Sequence, residues 1–280
     1  MDLSQISIAN LMQLASNTNT FEIEEDMLRH MILNTLRYNI LANKASYGEF
    51  VIACDSPVTS WRKEFFTYYK ATRARDRAKS PVDWATFSKI MTKIIGEITE
   101  ALPYPVVRVD GAEGDDIIGV LTMYLNAKKQ EPIKILSGDK DFIQLQRLPG
   151  VSQYNPVSKV DIFHDNADFF LFEQIVRGDR IDGIPNIKSQ DDVFIIDGIR
   201  QKSVMAKDIE AWYADGKTVP GELLDKYKRN EKLIDLRGTP RDLAMSIVDS
   251  YQKQQGKKSH IREYFMDKGL RQLLQNSQDF

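Results

Sequence analysis

PVVRVDGAEGDDIIGVLTMYLNAKKQEPIKILSGDKD, residues 105–141, decides the architecture. It opens with a β-branched run, PVVRVD (105–110). AEGDD then starts a helix of apolar residues at helical spacing, IIGVLTMYLNAKK, within residues 112–129. A second β-rich run, PIKILSGD (132–139), ends in an acid and passes into a short helix, DKDFIQLQ. Strands separated by helices imply crossovers, and crossovers imply a parallel sheet.

The same grammar holds on both sides. Upstream, FVIACD (50–55) is another β-run ending in an acid, between helical patterns at 24–43 and 83–101. Downstream, VSQYN and KVDIF read as a hairpin around Pro156, followed by the helix NADFFLFEQIVRGD. Beyond residue 189 the pattern is mainly helical, and the amphipathic stretch 261–274 reads as core, with a docking helix as the alternative. The predicted class is α/β: a central, mostly parallel sheet flanked by helices, with a mainly helical C-terminal subdomain. Ligands of such sheets bind beyond the carboxyl ends of the strands. Asp55 and Asp139 stand at those ends.

Composition narrows the class further. No run approaches the ~18 apolar residues of a membrane span. MDLSQIS carries neither a basic region nor a long apolar core, so no signal peptide is visible. The one cysteine, Cys54, lies in an apolar run, reads as a buried thiol, and fits a reducing cytoplasm. The net charge of −2 conceals segregation. Residues 61–79 carry Arg62, Lys63, Lys70, Arg73, Arg75, Arg77 and Lys79 against only Glu64 and Asp76. A basic footprint beside an acidic pocket suits a polyanion gripped at one place and cut at another.

The acids are Asp2, Asp55, Glu113, Asp115, Asp116, Asp139, Asp141, Asp179 and Asp182. Each group has an ordinary reading. Glu113 and Asp116 suit a helix N-terminus, Asp139 a turn cap, and Asp179 and Asp182 surface pairs with Arg177 and Arg180. Gathered together, carboxylates repel and resist desolvation unless cations sit among them. Hard divalent ions with oxygen ligands are the natural partners.

In order, these motifs resemble those of the 5′ nuclease family: flap endonucleases, the 5′→3′ exonuclease domains of bacterial DNA polymerases, and phage exonucleases. The match runs over residues 1–190: an acid after each of two strands, the Glu-Gly-Asp-Asp helix start, the Asp-x-Asp turn and Gly178-Asp179-Arg180-Ile181-Asp182-Gly183-Ile184-Pro185. The short opening MDLSQ, Trp61-Arg62 and the final Asp279-Phe280 resemble the ribonuclease H branch of T-even bacteriophages. The resemblance implies an α/β nuclease core over 1–165 with a basic arch at 57–80. A helical subdomain with a degenerate helix–hairpin–helix-like segment would follow over 166–280. It further implies two Mg²⁺ ions, replaceable by Mn²⁺, held by the nine acids. Asp55, Glu113, Asp115, Asp139 and Asp141 would form the tighter site, Asp179 and Asp182 would act through water, and Asp116 would stand behind. Lys70 and Arg73 would steady the phosphate, and with Arg77 they would form one cationic helical stripe. Arg62, Tyr69, Gly183, Ile184, Asn186 and Lys188 would also meet nucleic acid, Tyr69 by stacking on a terminal base. His30, His164 and His260 lie outside the motifs and read as structural or surface residues.

The implied activity is cleavage at 5′ ends or flaps of DNA and RNA–DNA duplexes, removing RNA primers in phage replication. The implied partners are forked nucleic acid and a replisome single-stranded-DNA-binding protein or clamp, with the nuclease itself a monomer. Two features depart from the family pattern. Only Met1 precedes Asp2, so the first strand is nearly absent or the start is shorter than the natural one. Lys188-Ser189-Gln190-Asp191-Asp192 replaces the expected Gly-x-Gly turn, which weakens duplex binding there and argues against a K⁺ site. The alternatives are a PIN-type ribonuclease and a fork-binding protein that does not cleave.

Overall fold

A computed structural model describes residues 1–16, 22–80 and 82–280. Its sheet is built of β1 (Ile52–Ala53), β2 (Val106–Val107), β3 (Ile133–Leu136), β4 (Val151–Asn155) and β5 (Val160–Ile162). β1 pairs parallel with β2, and β3 parallel with β4; β5 returns antiparallel to β4, forming the expected hairpin. Met1 and Asp2 join the two halves. The Ala53 amide donates to the Met1 carbonyl (2.9 Å) and the Asp2 amide to the Leu136 carbonyl (3.1 Å). Backbone of Met1 and Asp2 thus lies in the middle of the sheet, at the place expected for the first strand.

Beside that join a pocket of about 140 Å³ lies between residues 48–51 and 132–136, with Ile117, Leu121 and Leu125 in its lining.

Helices cover both faces. One core packs α1 (Leu3–Ser16), α2 (Glu25–Tyr47) and α5 (Trp84–Ala101) with α11 (Ile261–Asp267) and α12 (Arg271–Gln275). The apolar spacing of α2 explains its seat: Leu28, Ile32, Leu33, Leu36 and Ile40 share one buried face, and Gly48 (φ +70°) ends the helix. Ile261, Phe265 and Leu273 are buried, so residues 261–274 are core, split over two short helices. The opposite core packs α6 (Gly114–Lys129), the 3₁₀ helix Lys140–Arg147 and α10 (Arg241–Lys253). α7 (Ala167–Arg177), α8 (Ala206–Ala214) and α9 (Leu224–Ile234) form the remaining helical part.

The basic segment departs from the expected stripe. Chain 61–79 breaks into α3 (Trp61–Phe65), a run of turns, and α4 (Arg73–Ala78). Lys70 adopts φ +53°, and its amide donates to the Asp182 carbonyl (2.7 Å). Burial of Phe66 and Tyr69 pulls the backbone inward, so Lys70, Arg73 and Arg77 do not share a helix face.

Candidate functional site

The strands deliver their acids to one edge. Asp2 follows the Met1 join, Asp55 follows β1, and Asp139 and Asp141 follow β3. Asp2 is buried, its Oδ1 accepting from the Gln5 amide (3.0 Å) and its Oδ2 from Ser137 Oγ (3.0 Å). Asp55 Oδ1 accepts from the Gly114 amide at 2.6 Å. A Cβ on Gly114 would stand 3.2 Å from Asp55 Oδ1 and 3.9 Å from Asp2 Oδ1, so glycine lets the start of α6 approach both acids.

α6 begins with a reciprocal cap: Asp116 Oδ2 accepts from the Glu113 amide, while the Glu113 side chain serves the Asp116 amide. Asp139 caps the following 3₁₀ turn through the Asp141 amide (2.9 Å). Asp179 binds the amides of Ile181 and Asp182 in the loop after α7. Asp115, Asp141, Asp179 and Asp182 line one small cavity with Arg62 and Tyr69.

Cations lie over these acids. Lys70 Nζ is 2.5 Å from Glu113 Oε1 and 3.7 Å from Asp182 Oδ2. Arg73 Nη2 is 3.0 Å from Asp182 Oδ1, and Lys140 Nζ is 2.8 Å from Asp179 Oδ2. Arg62 reaches Asp116 (2.9 Å) and Glu113 (3.2 Å). Among the described residues, no three acid, histidine or cysteine side chains are drawn together in a ready-made ion cage.

The electrostatics divide the acids in two. Burial opposes ionisation of Glu113, but Lys70 and Arg62 outweigh it and hold its carboxyl below the usual value. Burial first, then Asp139, drives Asp115 well up. Asp139 is raised by burial and by Asp182 and Asp179. Asp141 is pushed to about 7 by burial and then by Asp139 and Asp179. Asp2 is pushed to about 6 by burial, with Asp55 adding to it. The cations therefore satisfy the Glu113 side, while Asp115, Asp139 and Asp141 resist ionisation in one another's company.

Several residues expected to face nucleic acid are placed otherwise. Arg62 is 3% exposed, spent on Asp116, Glu113 and the Leu233 carbonyl (2.8 Å). Tyr69 is also 3% exposed. Its hydroxyl donates to Glu113 Oε2 (2.6 Å), with Asp182 Oδ2 at 3.0 Å, so its ring offers no face for stacking. Gly183 (φ +70°) packs its backbone against the Tyr68 carbonyl, and Ile184 is buried beside Tyr69. Asn186 is buried and bonded to the Lys202 carbonyl, the Lys188 amide and Ser189. Lys188 pairs with Asp208 at 3.1 Å. Arg77 lies over the Trp84 ring at 5.0 Å and is exposed. Asp116 is fully buried and takes bonds from Trp61, Arg62, Thr239 and the Glu113 amide.

Sequence reasoning did not single out Lys140 or Gln174. Lys140 sits inside the Asp-x-Asp turn and was legible there as a cation between two acids. Gln174, whose amide donates to Asp141 Oδ1, carries no local signal on its apolar helix.

Comparison with known proteins agrees with this geometry. The profile of the 5′-3′ exonuclease N-terminal resolvase-like domain matches residues 14–171, and that of the T4 RNase H C-terminal domain matches residues 166–280. The ribonuclease H of Enterobacteria phage T4 is 30% identical over 291 residues, covering 100% of this chain and 94% of that protein. The 5′-3′ exonuclease of Aquifex aeolicus is 23% identical, over 71% of this chain and 68% of that protein. Among solved structures, the T5 D15 protein co-crystallised with metal ions superposes with a TM-score of 0.64 at 14% identity, covering 90% of this chain and 97% of that one. The T5 D15 flap endonuclease in complex with DNA and metal ions gives 0.62 at 15% identity, over 90% and 97%. At that identity the two superpositions establish the fold alone. The profile over more than half of the chain and the full-length relative, joined to an acid-lined strand edge, establish that the chain belongs to the 5′-3′ exonuclease family and is a nuclease, an enzyme that hydrolyses phosphodiester bonds.

Proposed function

We propose that the chain is a divalent-metal-dependent 5′ nuclease, cleaving at 5′ ends or flaps of DNA and RNA–DNA duplexes and removing RNA primers during phage DNA replication in the host cytoplasm. The observation that carries this reading is the convergence of Asp115, Asp141, Asp179 and Asp182 on one small cavity, with Asp139 close enough to oppose ionisation of Asp115 and Asp141.

The donor set fits a hard cation. It is all oxygen, Gly114 leaves room beside Asp2 and Asp55, and the buried Gln174 Oε1 has no hydrogen-bond partner among the described residues. Mg²⁺ retains several waters and takes few carboxylates directly, so a loose ring of acids suits it better than a tight cage. Asp55, Glu113, Asp115, Asp139 and Asp141, with Asp2, would hold one ion; Asp179 and Asp182 would hold a second through water. Mn²⁺ would substitute. The chemistry such ions would supply there is activation of a water and stabilisation of the leaving oxygen.

The protein's own groups do the rest. Lys70 and Arg73 exchange their carboxylate partners for the scissile phosphate and hold its developing charge. Arg75 and Arg77, exposed on α4, meet the flanking backbone. Readout of this kind is of backbone and fork shape rather than base sequence. The proposed division is a nuclease core over 1–165 and a helical subdomain over 166–280, the whole acting as a monomer beside a single-stranded-DNA-binding protein or clamp.

Cleavage of 5′-labelled forked duplexes, all-DNA and RNA–DNA, tests the proposal. Short 5′ fragments are expected with Mg²⁺ and none with EDTA. Undiminished cleavage in EDTA, or none with any divalent ion by folded protein, overturns it.

A further inference from the structure

Three glutamines are buried near the site, and two are fully employed. Gln144 donates to the carbonyls of Asp141 (2.9 Å) and Ile234 (3.1 Å) and accepts from the Leu236 amide (2.9 Å). Gln153 donates to the carbonyls of Ser137 (2.9 Å) and Asp139 (2.7 Å) and accepts from Gln146 (3.2 Å). Gln174 differs. It is 6% exposed, its Nε2 donates to Asp141 Oδ1, and its Oε1 has no partner among the described residues.

An orphaned buried amide oxygen is unfavourable by about 1–3 kcal/mol. Turning the amide over would set Oε1 against Asp141 Oδ1, which repels it whenever Asp141 is ionised, as a cation in the crevice would require. The neighbours on α7 supply nothing, since Leu171, Phe172, Ile175 and Val176 form its apolar face. Asp141, which the amide holds, lies among Asp139, Asp179 and Asp182, groups that accept hydrogen bonds when ionised. The donor that such a crevice lacks is a water polarised by a cation.

We propose that Gln174 is a positioning residue of the catalytic centre, orienting Asp141 with one end of its amide and accepting from a cation-bound water with the other. The proposal rests on the metal-dependent reading above. Groups standing behind a metal's ligands in this way typically alter its affinity 10–100-fold when removed.

The test compares wild-type protein with Gln174→Met, close in shape but without hydrogen bonds, and with Gln174→Leu should the first fold poorly. Mn²⁺ affinity is read by calorimetry, and Tm is read in EDTA. Mn²⁺ binding is expected to weaken about 10–100-fold while Tm in EDTA is unchanged. Equal affinity in the variant and the wild type overturns the role of Gln174 alone. A fall of Tm in EDTA as large as the fall with Mn²⁺ marks a merely structural residue and overturns it too. Absence of Mn²⁺ binding by the wild type overturns both this proposal and the metal-dependent reading.

Discussion

Arg62 Nη1 stands 2.9 Å from Asp116 Oδ2, with Arg62 3% and Asp116 0% exposed. Asp116 also accepts from Trp61 and from Thr239 Oγ1, so the pair ties the basic segment, the start of α6 and the 236–239 turn together beneath the acids. Removing one partner of a buried pair leaves an uncompensated charge. Arg62→Met is expected to lose about 3–5 kcal/mol of stability in urea unfolding, with DNA affinity of the folded protein changed little.

Lys70 and Arg73 rest on the acids that the metal-dependent reading assigns to cations. Lys70→Met is expected to lower kcat about 10²–10³-fold, by analogy with losing one transition-state contact, while tightening Mn²⁺ binding by removing an internal competitor for Glu113. Single-turnover kinetics and calorimetry on the same sample check both halves.

The raised acids set the pH response of the metal-free protein. Asp2 and Asp141 have folded values near 6 and 7, above their unfolded values, so they bind protons more tightly when folded. Their contribution to stability is complete below about pH 4 and is lost as pH rises through 6 to 7. In EDTA the protein is therefore expected to unfold more readily at pH 8 than at pH 5. Saturating Mg²⁺ reverses the difference, because protons and metal compete. Denaturation curves at the two pH values, with and without Mg²⁺, read this directly.

Asp139→Asn removes one of the mutually repelling charges and one proposed ligand. Cleavage is expected to vanish while Tm in EDTA rises. A variant that loses both activity and metal-free stability would mean that Asp139 serves chiefly as the cap of the following turn.

Gly183 carries φ +70°, and a Cβ there would come 2.7 Å from the Tyr68 carbonyl. Gly183→Ala is expected to lose at least about 1–2 kcal/mol from the left-handed backbone alone. It also pushes Lys70 away from Asp182, so nuclease activity falls with stability.

Much of the fold was legible because its signals are local. The β-runs ending in Asp55 and Asp139, the acid-led helix at Gly114 and the hairpin around Pro156 need only near neighbours to be recognised. The burial of Tyr69 was not legible. Tyr68-Tyr69-Lys70 has the look of an exposed aromatic and basic helix, and only contact with Asp182, 113 residues away in sequence, turns it inward. Ile184 and Asn186 hid for the same reason: Ile184 is buried by Phe66, Tyr69, Leu171 and Leu233, and Asn186 is held by Gln201 and Lys202, all distant in sequence. Helix α1 escaped notice because MDLSQIS was read for targeting and for Asp2 rather than for its apolar spacing. Gln174 could not be found without coordinates, since one polar residue on an apolar helix face has many meanings.

The Ala53–Met1 and Asp2–Leu136 hydrogen bonds are what couples the two halves of the sheet. The β1 half carries Asp55 and the β3 half carries Asp139 and Asp141, so any loosening there alters the spacing between opposing jaws of the catalytic edge. Amide exchange at Asp2 and Ala53 is therefore a direct gauge of whether the jaws stay in register while the surrounding helices remain folded.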